Sequence, residues 1–413
     1  MNTIFKTKFF SNNRKRLRES VDSSLPIVIT AQGLLQRNAD TTFPFHQDSN
    51  FWYLTGIDEP DLILVMDGAE EYVIVPGRSD SREAFDGAVD KDTLSKVSGI
   101  VIFLDEEEGW RRLGETLQET GRVQTLLPPA AYIEQYGMYT NPARSRLVER
   151  LKAWKTDAQV IDIREQLVAL RMIKQPEELQ ALQKAIDVTI DGLLKVTDTL
   201  SLQKYTYEFE VENQLTAAFR TVEASGHAFA PIIASGKRGV TLHNVENSGT
   251  FAPNVLVIMD VGAEVSHYAA DITRTVPYGT ATERQEQIVA AVLEVQNYAL
   301  SLLKPGTMLK DYELQIETYM GSKLQELGLI ETVDHESVRK YYPHATSHFL
   351  GLDVHDVGDY SRPLEPGMVL TCEPGIYIPE EGIGARIEDD VLITADGHKI
   401  LSERLPRQLS AYA

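Results

Sequence analysis

Three of the nine histidines in this 413-residue chain lie in one short segment, PHATSHFLGLDVHDVG. Imidazole titrates near neutral pH and binds metal ions readily, so His344, His348 and His355 could serve acid–base chemistry or a metal site. The spacing of His344 and His348 suits two ligands on one helix face, but Pro343 and Gly351 argue against a long helix. The segment alone leaves a structural role open for each histidine.

Acidic residues interrupt two pairs of apolar, strand-like segments elsewhere in the chain. VLVIMDVGAEVSHYAADITRTVPY predicts a β-hairpin in which Asp260 ends the first strand and Asp271 sits in the second. MVLTCEPGIYI and GARIEDDVLIT predict a second strand pair that carries Glu373 and Glu388. Paired strands can bring such acids close together across the ladder.

Acids inside apolar strands need compensating positive charge. Burying an isolated carboxylate costs many kcal/mol unless it is paired or binds a metal. A core salt bridge could account for one of the four, with Arg274 and Arg386 as the obvious basic partners. Two Asp, two Glu and one His form an oxygen-dominated set that suits Mn²⁺, Co²⁺ or Zn²⁺. Two ions that share bridging carboxylates would neutralise four acids and form a known hydrolytic device.

The pattern in the first part of the chain predicts a domain of its own, with both strands and helices. Residues 25 to about 160 alternate short apolar runs with polar helical stretches, which predicts a small α/β domain. LPIVITA, FWYLTG, DLILVM, EYVIVPG and GIVIFLD are typical of strands, and EEEGWRRLGETLQETG and PARSRLVERLKAW of helices. Near MIKQPEE the alternation gives way to a mostly helical pattern, so we predict one domain over residues 1–165 and a second over residues 166–413.

The second part repeats itself in outline, because two helices precede a strand-rich stretch twice. The predicted helices cover about 176–199, 206–224, 283–303 and 309–327, and the strand-rich stretches cover 229–278 and 364–400. The two halves differ in sequence, so the repeat is one of architecture.

Composition excludes several classes of function. A formal net charge of −21 argues against a nucleic-acid partner, which requires a basic face. No segment approaches the run of about 20 apolar residues that a membrane helix needs. The single cysteine, Cys372, excludes an intrachain disulfide and fits a reduced, cytoplasmic setting. The basic N-terminus is interpreted as an amphipathic helix docked through Phe10 and Leu17, with a transit peptide as the alternative.

Several segments together resemble the pita-bread metallopeptidases, which include aminopeptidase P, prolidase and methionine aminopeptidase. The segments are IMDVGAEVSHYAADITRT, HATSHFLGLDVHDVG, PLEPGMVLTCEPGIYI and GIGARIEDDVLIT. FPFHQDSNFWYLTGIDEPDLILVM resembles the N-terminal domain of aminopeptidase P and prolidase. The resemblance implies a two-domain α/β protein: a small N-terminal domain for oligomerisation and active-site capping, and a pita-bread α+β catalytic domain with pseudo-twofold symmetry.

The resemblance also implies a ligand set for two divalent metal ions, most readily Mn²⁺, with Co²⁺ or Zn²⁺ as alternatives. Asp260 would bind one ion, Asp271 and Glu388 would bridge both, and His348 and Glu373 would complete the second. A water or hydroxide between the ions would be the nucleophile, and Glu373 would carry its proton.

The remaining histidines of the motifs would face the substrate. By resemblance, His243, His344 and His355 hold the scissile carbonyl and the substrate backbone. Arg386 would steady the carboxylates, and Tyr377 would either face the site or serve in packing. Ala345 stands where the family usually has glycine, which would alter the approach to His344.

The expected activity is hydrolysis of the N-terminal Xaa-Pro bond of peptides with proline in the second position. TSHFLGLDVHDVG and SRPLEPGMVLT look closer to aminopeptidase P than to prolidase, the Xaa-Pro dipeptidase, which stays the alternative. A catalytically silent pita-bread binding protein is the third possibility, although the complete ligand set argues against it. The resemblance implies a homodimer or a homotetramer.

Overall fold

The structure is a computed structural model that describes residues 4–129, 136–198, 202–220 and 224–412. The chain divides into two compact units, Met1–Leu170 and Arg171–Ala413. The division falls shortly after the predicted domain boundary. Among the described residues, no helix combines the length and the apolar character needed to cross a lipid bilayer.

The first unit is built on a mixed sheet of six strands in the order β6-β5-β4-β1-β7-β8. Strand β4 is antiparallel to both of its neighbours, whereas β6, β7 and β8 each join the sheet in parallel. The strands of this unit are β1 (Ile27–Thr30), β2 (Gln36–Asn38), β3 (Thr41–Thr42), β4 (Ile63–Asp67), β5 (Glu70–Val75), β6 (Ile102–Asp105), β7 (Arg122–Thr125) and β8 (Gln159–Asp162).

Helices connect the strands of this unit, and side chains from two of them pack into the core on the sheet. They are α1 (Thr7–Ser20), α2 (Ser49–Thr55), α3 (Asp80–Asp86), α4 (Lys91–Ser98), α5 (Glu106–Thr120), α6 (Ala143–Trp154) and α7 (Arg164–Met172), the last of which contains the division between the units. Trp110 of α5 and Leu147 of α6 are buried against Val28 of the sheet. Phe10 and Leu17 of α1 are buried, as predicted for the N-terminal helix.

The prediction of a strand for FWYLTG was wrong, because this segment forms α2. The Asp48 carboxylate accepts the N–H groups of Asn50 and Phe51 at 3.0 and 3.1 Å, which caps the start of the helix. Gly56 ends it in the left-handed region, with φ 68°, and donates to the carbonyl of Trp52 at 2.7 Å. These two caps outweigh the strand preference of the aromatic residues.

The second unit confirms the predicted architectural repeat, since a helix pair precedes a set of strands twice. The helices are α8 (Pro176–Thr197), α9 (Glu208–Arg220), α10 (Glu283–Leu302), α11 (Leu309–Glu326) and α12 (His335–Tyr341). The strands are β9 (Gly226–His227), β10 (Ile232–Ser235), β11 (Val255–Val261), β12 (Ala263–Val265), β13 (Tyr268–Ala269), β14 (Ile272–Tyr278), β15 (Val369–Cys372), β16 (Gly375–Ile378), β17 (Ile383–Arg386), β18 (Asp389–Ile393) and β19 (His398–Ile400). Residues 199 and 221–223 of the predicted helices lie outside the described residues.

The strands around the acids form the two predicted antiparallel pairs. Strand β11 pairs with β14, which places Asp260 opposite Thr273. Strands β15 and β18 pair with each other, as do β16 and β17. At Glu373 and Glu388 the chain therefore passes from one small sheet to the other. Cys372, immediately before Glu373, is fully buried in β15.

Of the four acids predicted as metal ligands, only Asp260 lies inside a strand. Asp271 precedes β14, whereas the sequence placed it within the strand, and Glu373 and Glu388 stand at the breaks between short strands. A break releases the residue from the alternation of a pleated ladder. Its side chain can then turn towards a common point, which a continuous strand would not allow.

Backbone segments near the acids approach so closely that no side chain fits between them. A Cβ on Gly384 of β17 would lie 2.0 Å from the carbonyl oxygen of Gly239. Gly239 belongs to the 3₁₀ turn Gly236–Val240, which leads into the loop of His243. Glycine at position 384 therefore sets the distance between this loop and the strand that ends at Arg386.

Candidate active site

The structure brings four of the five predicted metal ligands together directly. Ligand-type atoms of Asp271, His348 and Glu388 lie within 4.8 Å of one another. The Nε2 atom of His348 is 3.5 Å from Asp271 Oδ2 and 3.4 Å from Glu373 Oε1. The four side chains come from the hairpin of β11–β14, the histidine segment and the two strand breaks, so only the folded second unit assembles them.

His348 lies in an irregular segment and not on a helix, and backbone hydrogen bonds fix its ring. The backbone N–H of His348 donates to Thr371 Oγ1 at 3.2 Å, and the His348 carbonyl accepts from the backbone N–H of Thr371 at 2.9 Å. Its Nδ1 is 3.0 Å from the carbonyl oxygen of Phe349. A carbonyl can only accept, so Nδ1 carries the hydrogen and Nε2 presents a lone pair to the acids.

The fifth predicted ligand, Asp260, connects to the other residues through Arg386. The Arg386 guanidinium donates to Asp260 Oδ2 at 2.5 Å and to the Tyr377 hydroxyl at 2.7 Å. The Tyr377 hydroxyl is also 2.9 Å from His344 Nε2, and His344 Nδ1 is 2.8 Å from the carbonyl oxygen of Ala345. Tyr377 thus faces the site, and both ring nitrogens of His344 have partners.

Two groups that orient the acids were missed by sequence reasoning. The Thr273 hydroxyl donates to Glu388 Oε2 at 2.6 Å and accepts from Arg386 Nε at 3.1 Å. Asp390 Oδ2 accepts the N–H of Asp271 at 3.2 Å. The Glu388 N–H also donates to the Thr273 carbonyl at 3.0 Å, a contact between separate segments that no local sequence pattern signals. Asp390, two residues after Glu388, is fully buried in β18.

The acids of the site are held in conditions that disfavour their charge. Burial raises the pKa of Asp271 and Glu388 well above the usual carboxyl value, and the negative charges of Asp260 and Glu373 raise it further. Burial also raises the pKa of Glu373 to about 8, although the charge of Arg386 opposes the shift. Oδ1 of Asp260 and Oδ1 of Asp271 are buried without a hydrogen-bond partner among the described residues.

The pKa values of the buried histidines shift in the opposite direction to those of the acids. Burial lowers the pKa of His344 to about 3, and the charge of Arg386 contributes. Burial lowers the pKa of His348 to about 4, with a contribution from His355. Both rings are therefore neutral at physiological pH, which is the form that binds a metal or accepts a hydrogen bond.

His243 and His355 lie at the exposed edge of the site. The ring of His355 contacts that of His348, with centroids 4.4 Å apart and planes at 79°. His243 is exposed, and its charge contributes, after burial, to lowering the pKa of both His344 and His355. All the predicted site residues thus fall in one neighbourhood of the second unit.

Comparison with known protein families agrees with this geometry. The model for metallopeptidase family M24 matches residues 180–395, which is over half of the chain. The chain belongs to metallopeptidase family M24. A second model, that of the aminopeptidase P N-terminal domain, matches residues 10–120 of this M24 metallopeptidase. The two matches confirm the predicted two-domain α/β architecture.

Curated relatives of this M24 metallopeptidase match it along nearly its whole length. Human Xaa-Pro aminopeptidase 3 is 34% identical over 98% of the chain and 83% of the relative. The Xaa-Pro aminopeptidase of Escherichia coli K12 is 33% identical over 95% of the chain and 94% of the relative. The solved structure of zinc-substituted E. coli aminopeptidase P in complex with product covers 99% of this chain and 97% of that chain, with 30% identity and a TM-score of 0.88.

An M24 metallopeptidase uses a divalent metal, and the residues present fit one. Two buried carboxylate oxygens, on Asp260 and Asp271, lack hydrogen-bond partners among the described residues, and cations satisfy such atoms. Burial, together with the negative charges of neighbouring acids, raises the pKa values of Asp271, Glu373 and Glu388, and a cation among them would favour their charged forms. Four carboxylates and one imidazole lone pair are a donor set for a hard or borderline divalent ion.

Proposed function

We propose that this M24 metallopeptidase is an Xaa-Pro aminopeptidase, which removes the N-terminal residue from peptides that have proline in the second position. The observation that carries the proposal is the similarity to Xaa-Pro aminopeptidases, which runs through both units and covers 98% of the chain in one relative. The oligomeric state, active-site capping by the N-terminal domain and the cytoplasmic location stay predictions.

We assign two divalent ions, Mn²⁺ in the first instance and Co²⁺ or Zn²⁺ as alternatives, to the acidic cluster. In this assignment Asp260, Asp271, His348, Glu373 and Glu388 would hold the ions. The proximity of Asp271, Glu388 and His348 supports it. When bound, the ions neutralise the carboxylates and lower the pKa of the water that attacks the peptide bond.

Glu373 is the residue proposed to move protons. Its Oε1 is 3.2 Å from the Thr371 hydroxyl, which holds the carboxylate in place, and its Oε2 is 3.8 Å from His344 Nδ1. A carboxylate here can take a proton from the attacking water and deliver it to the proline nitrogen. Delivery is required because the leaving group of an Xaa-Pro bond is a secondary amine that departs protonated.

The histidines around Glu373 are proposed to bind the substrate. His243 and His355 are exposed at the edge of the site, where each can donate a hydrogen bond to a peptide carbonyl. His344 acts on the substrate only when one of its two existing ring-nitrogen contacts, to Ala345 or Tyr377, is exchanged. Arg386 holds Asp260 and Tyr377 in their observed positions.

The test is hydrolysis of two matched substrates by the purified protein in Mn²⁺, one a dipeptide Xaa-Pro and the other a tripeptide Xaa-Pro-Yaa. We expect cleavage of the tripeptide at the Xaa-Pro bond, little cleavage of the dipeptide and no activity in a chelator. Preference for the dipeptide would make the protein a prolidase. Failure to cleave either substrate would support the silent binding protein.

Matched variants separate the metal site from general damage to the fold. Asp271→Ala is expected to lose both bound metal and activity, because it removes one of the proposed ligands. Asp396→Ala makes the same chemical change in an exposed turn and is expected to keep both. Retention of stoichiometric metal and full activity by Asp271→Ala would contradict the assignment.

A further inference from the structure

The ring of His355 is held only indirectly. It is exposed, it touches the ring of His348, and within the described residues its nitrogens make no hydrogen bond. The rings of His344 and His348, by contrast, are each fixed through Nδ1 by a backbone carbonyl. The position of His355 must therefore come from the backbone on either side of it.

The next residue, Asp356, anchors that backbone through a buried ion-pair cluster. Its carboxylate accepts from Arg171 and, at 2.7 Å, from Lys174 Nζ, and the three side chains are each only 1% exposed. Its N–H donates to the carbonyl of Phe349 at 2.8 Å, which closes the loop that carries His355. The Asp356 side chain is therefore buried and bound by two cations.

The cations are themselves fixed to neighbouring backbone. Lys174 Nζ donates to the carbonyl of Arg171 at 2.8 Å, and the Lys174 N–H donates to the carbonyl of Gly367 at 2.9 Å. Arg171 also binds Asp353 at 2.8 Å, so the same guanidinium holds the loop on both sides of His355. The cluster thus fixes the loop at two points.

The same loop is tied to the hairpin that supplies two of the predicted metal ligands. The N–H of Ala269, which lies between Asp260 and Asp271, donates to the carbonyl of Gly351 at 2.9 Å. A Cβ on Gly351 would lie 2.1 Å from Asp356 Oδ2 and 2.7 Å from Lys174 Nζ. The ion-pair cluster and the hairpin are therefore in contact through the loop backbone.

We propose that Asp356, clamped by Arg171 and Lys174, is a positioning residue that places His355 against the peptide substrate. This inference rests on the proposed function. A buried ion pair is a poor source of stability, since apolar replacements often match it. The cluster lies next to His355, which is proposed to face the substrate and makes no hydrogen bond of its own within the described residues. We therefore assign the cluster a positioning role.

A double-mutant cycle tests whether Asp356 acts through His355. The value of kcat/KM for an Xaa-Pro-Yaa tripeptide is measured for the wild type, Asp356→Asn, His355→Ala and the double variant. We expect Asp356→Asn to lower kcat/KM by about 10-fold or more in the wild type, a typical loss for an orienting partner, and by under about twofold when His355 is already alanine. Independent, multiplicative losses would overturn the proposal.

A second variant guards against loss of folding. Asp356→Asn leaves two buried cations short of a partner, whereas Asp356→Asn combined with Lys174→Met keeps the charge of the cluster balanced. Asp359→Asn is the matched control, because this aspartate lies in the same loop and its carboxylate accepts from the N–H and hydroxyl of Ser361, outside the ion-pair cluster. We expect the balanced variant to show the same coupling to His355 and the control to show none.

An independent readout does not require activity. In ¹⁵N-histidine spectra, the His355 signal is identified by its absence in His355→Ala. We expect it to shift or broaden in the charge-balanced variant, while the signal of His398 on β19 stays in place. An unchanged His355 signal would overturn the positioning role. Lack of Xaa-Pro hydrolysis by the wild type would instead refute the proposed function, so the two failures are distinguishable.

Discussion

Burial moves the acids and the histidines of the site towards their uncharged forms. It raises the pKa of Glu373 to about 8 and lowers that of His348 to about 4. Near neutral pH the metal-free site therefore retains protons on carboxyl groups and carries none on His348. A divalent ion would displace the protons of the carboxyl groups and keep the imidazole neutral, because it binds carboxylate and neutral imidazole.

We predict that the free energy of unfolding of the metal-free protein falls as the pH rises from 6.5 to 8. A carboxyl whose pKa is higher in the folded state binds more protons there than in the unfolded state, and this contribution is lost as the pH rises. For Glu373 the interval runs from 4.5 to about 8. Buried histidines such as His348 act in the opposite sense, but only below about 6.5. One carboxyl contributes at most about 1.4 kcal/mol per pH unit.

Urea denaturation in the presence of a chelator measures this slope. Glu373→Gln replaces the titrating group with an amide and is expected to flatten the dependence on pH. Glu380→Gln makes the same change at a fully exposed residue and should leave the slope as in the wild type. A metal-free protein that became more stable over this interval would contradict the prediction.

The acids that gather in the candidate site could be predicted from the sequence, because acids inside apolar segments are unusual. The groups that orient them could not. Thr273 reaches Glu388 where the Glu388 N–H donates to the Thr273 carbonyl at 3.0 Å, and Asp390 reaches the backbone of Asp271 from a different sheet. Such contacts depend on the packing of separate sheets, which no local pattern encodes.

At the level of elements, the close approach of the Gly236–Val240 turn to β17 has a measurable cost when disturbed. We predict that Gly384→Ala lowers stability by about 1–3 kcal/mol, because its Cβ would meet the carbonyl of Gly239. The turn would move outwards and carry the His243 loop with it. We therefore also expect a higher KM for the Xaa-Pro-Yaa tripeptide.

Denaturation and steady-state kinetics on the same preparations test both effects. Gly397→Ala is the control, since no atom lies within 4 Å of a Cβ built there. Equal stability and equal KM for the two variants would show that the turn yields without consequence for the site.

The elements themselves differed in how well the sequence predicted them. Strand pairs around the acids were predicted because their apolar runs are long and flanked by turn residues. The segment FWYLTG was assigned to a strand because aromatic composition favours one, but the caps at Asp48 and Gly56 make it a helix. The strand breaks at Glu373 and Glu388 carry no local signal, because they arise where the chain changes sheets.

For the whole molecule, the division into two units separates the candidate chemistry from the rest. All proposed metal ligands lie in Arg171–Ala413. We predict that Mn²⁺ slows amide hydrogen exchange in the strands around the acids and leaves the six-stranded sheet of the first unit unchanged, because ligand binding stabilises the elements that it connects.

Hydrogen exchange followed by mass spectrometry, with and without a chelator, provides this comparison within one sample. The first unit serves as the internal control. Protection that increased mainly in Met1–Leu170 would place the metal elsewhere and would contradict the ligand assignment.

The fully buried Cys372 is a built-in chemical probe of local unfolding. It is the sole thiol of the chain, it directly precedes Glu373, and burial raises its pKa far above the ordinary thiol value. An alkylating reagent attacks thiolate that it can reach, so the native protein resists modification until β15 opens. The rate of labelling therefore measures how often β15, the strand that leads to Glu373, opens. The measurement needs no engineered probe.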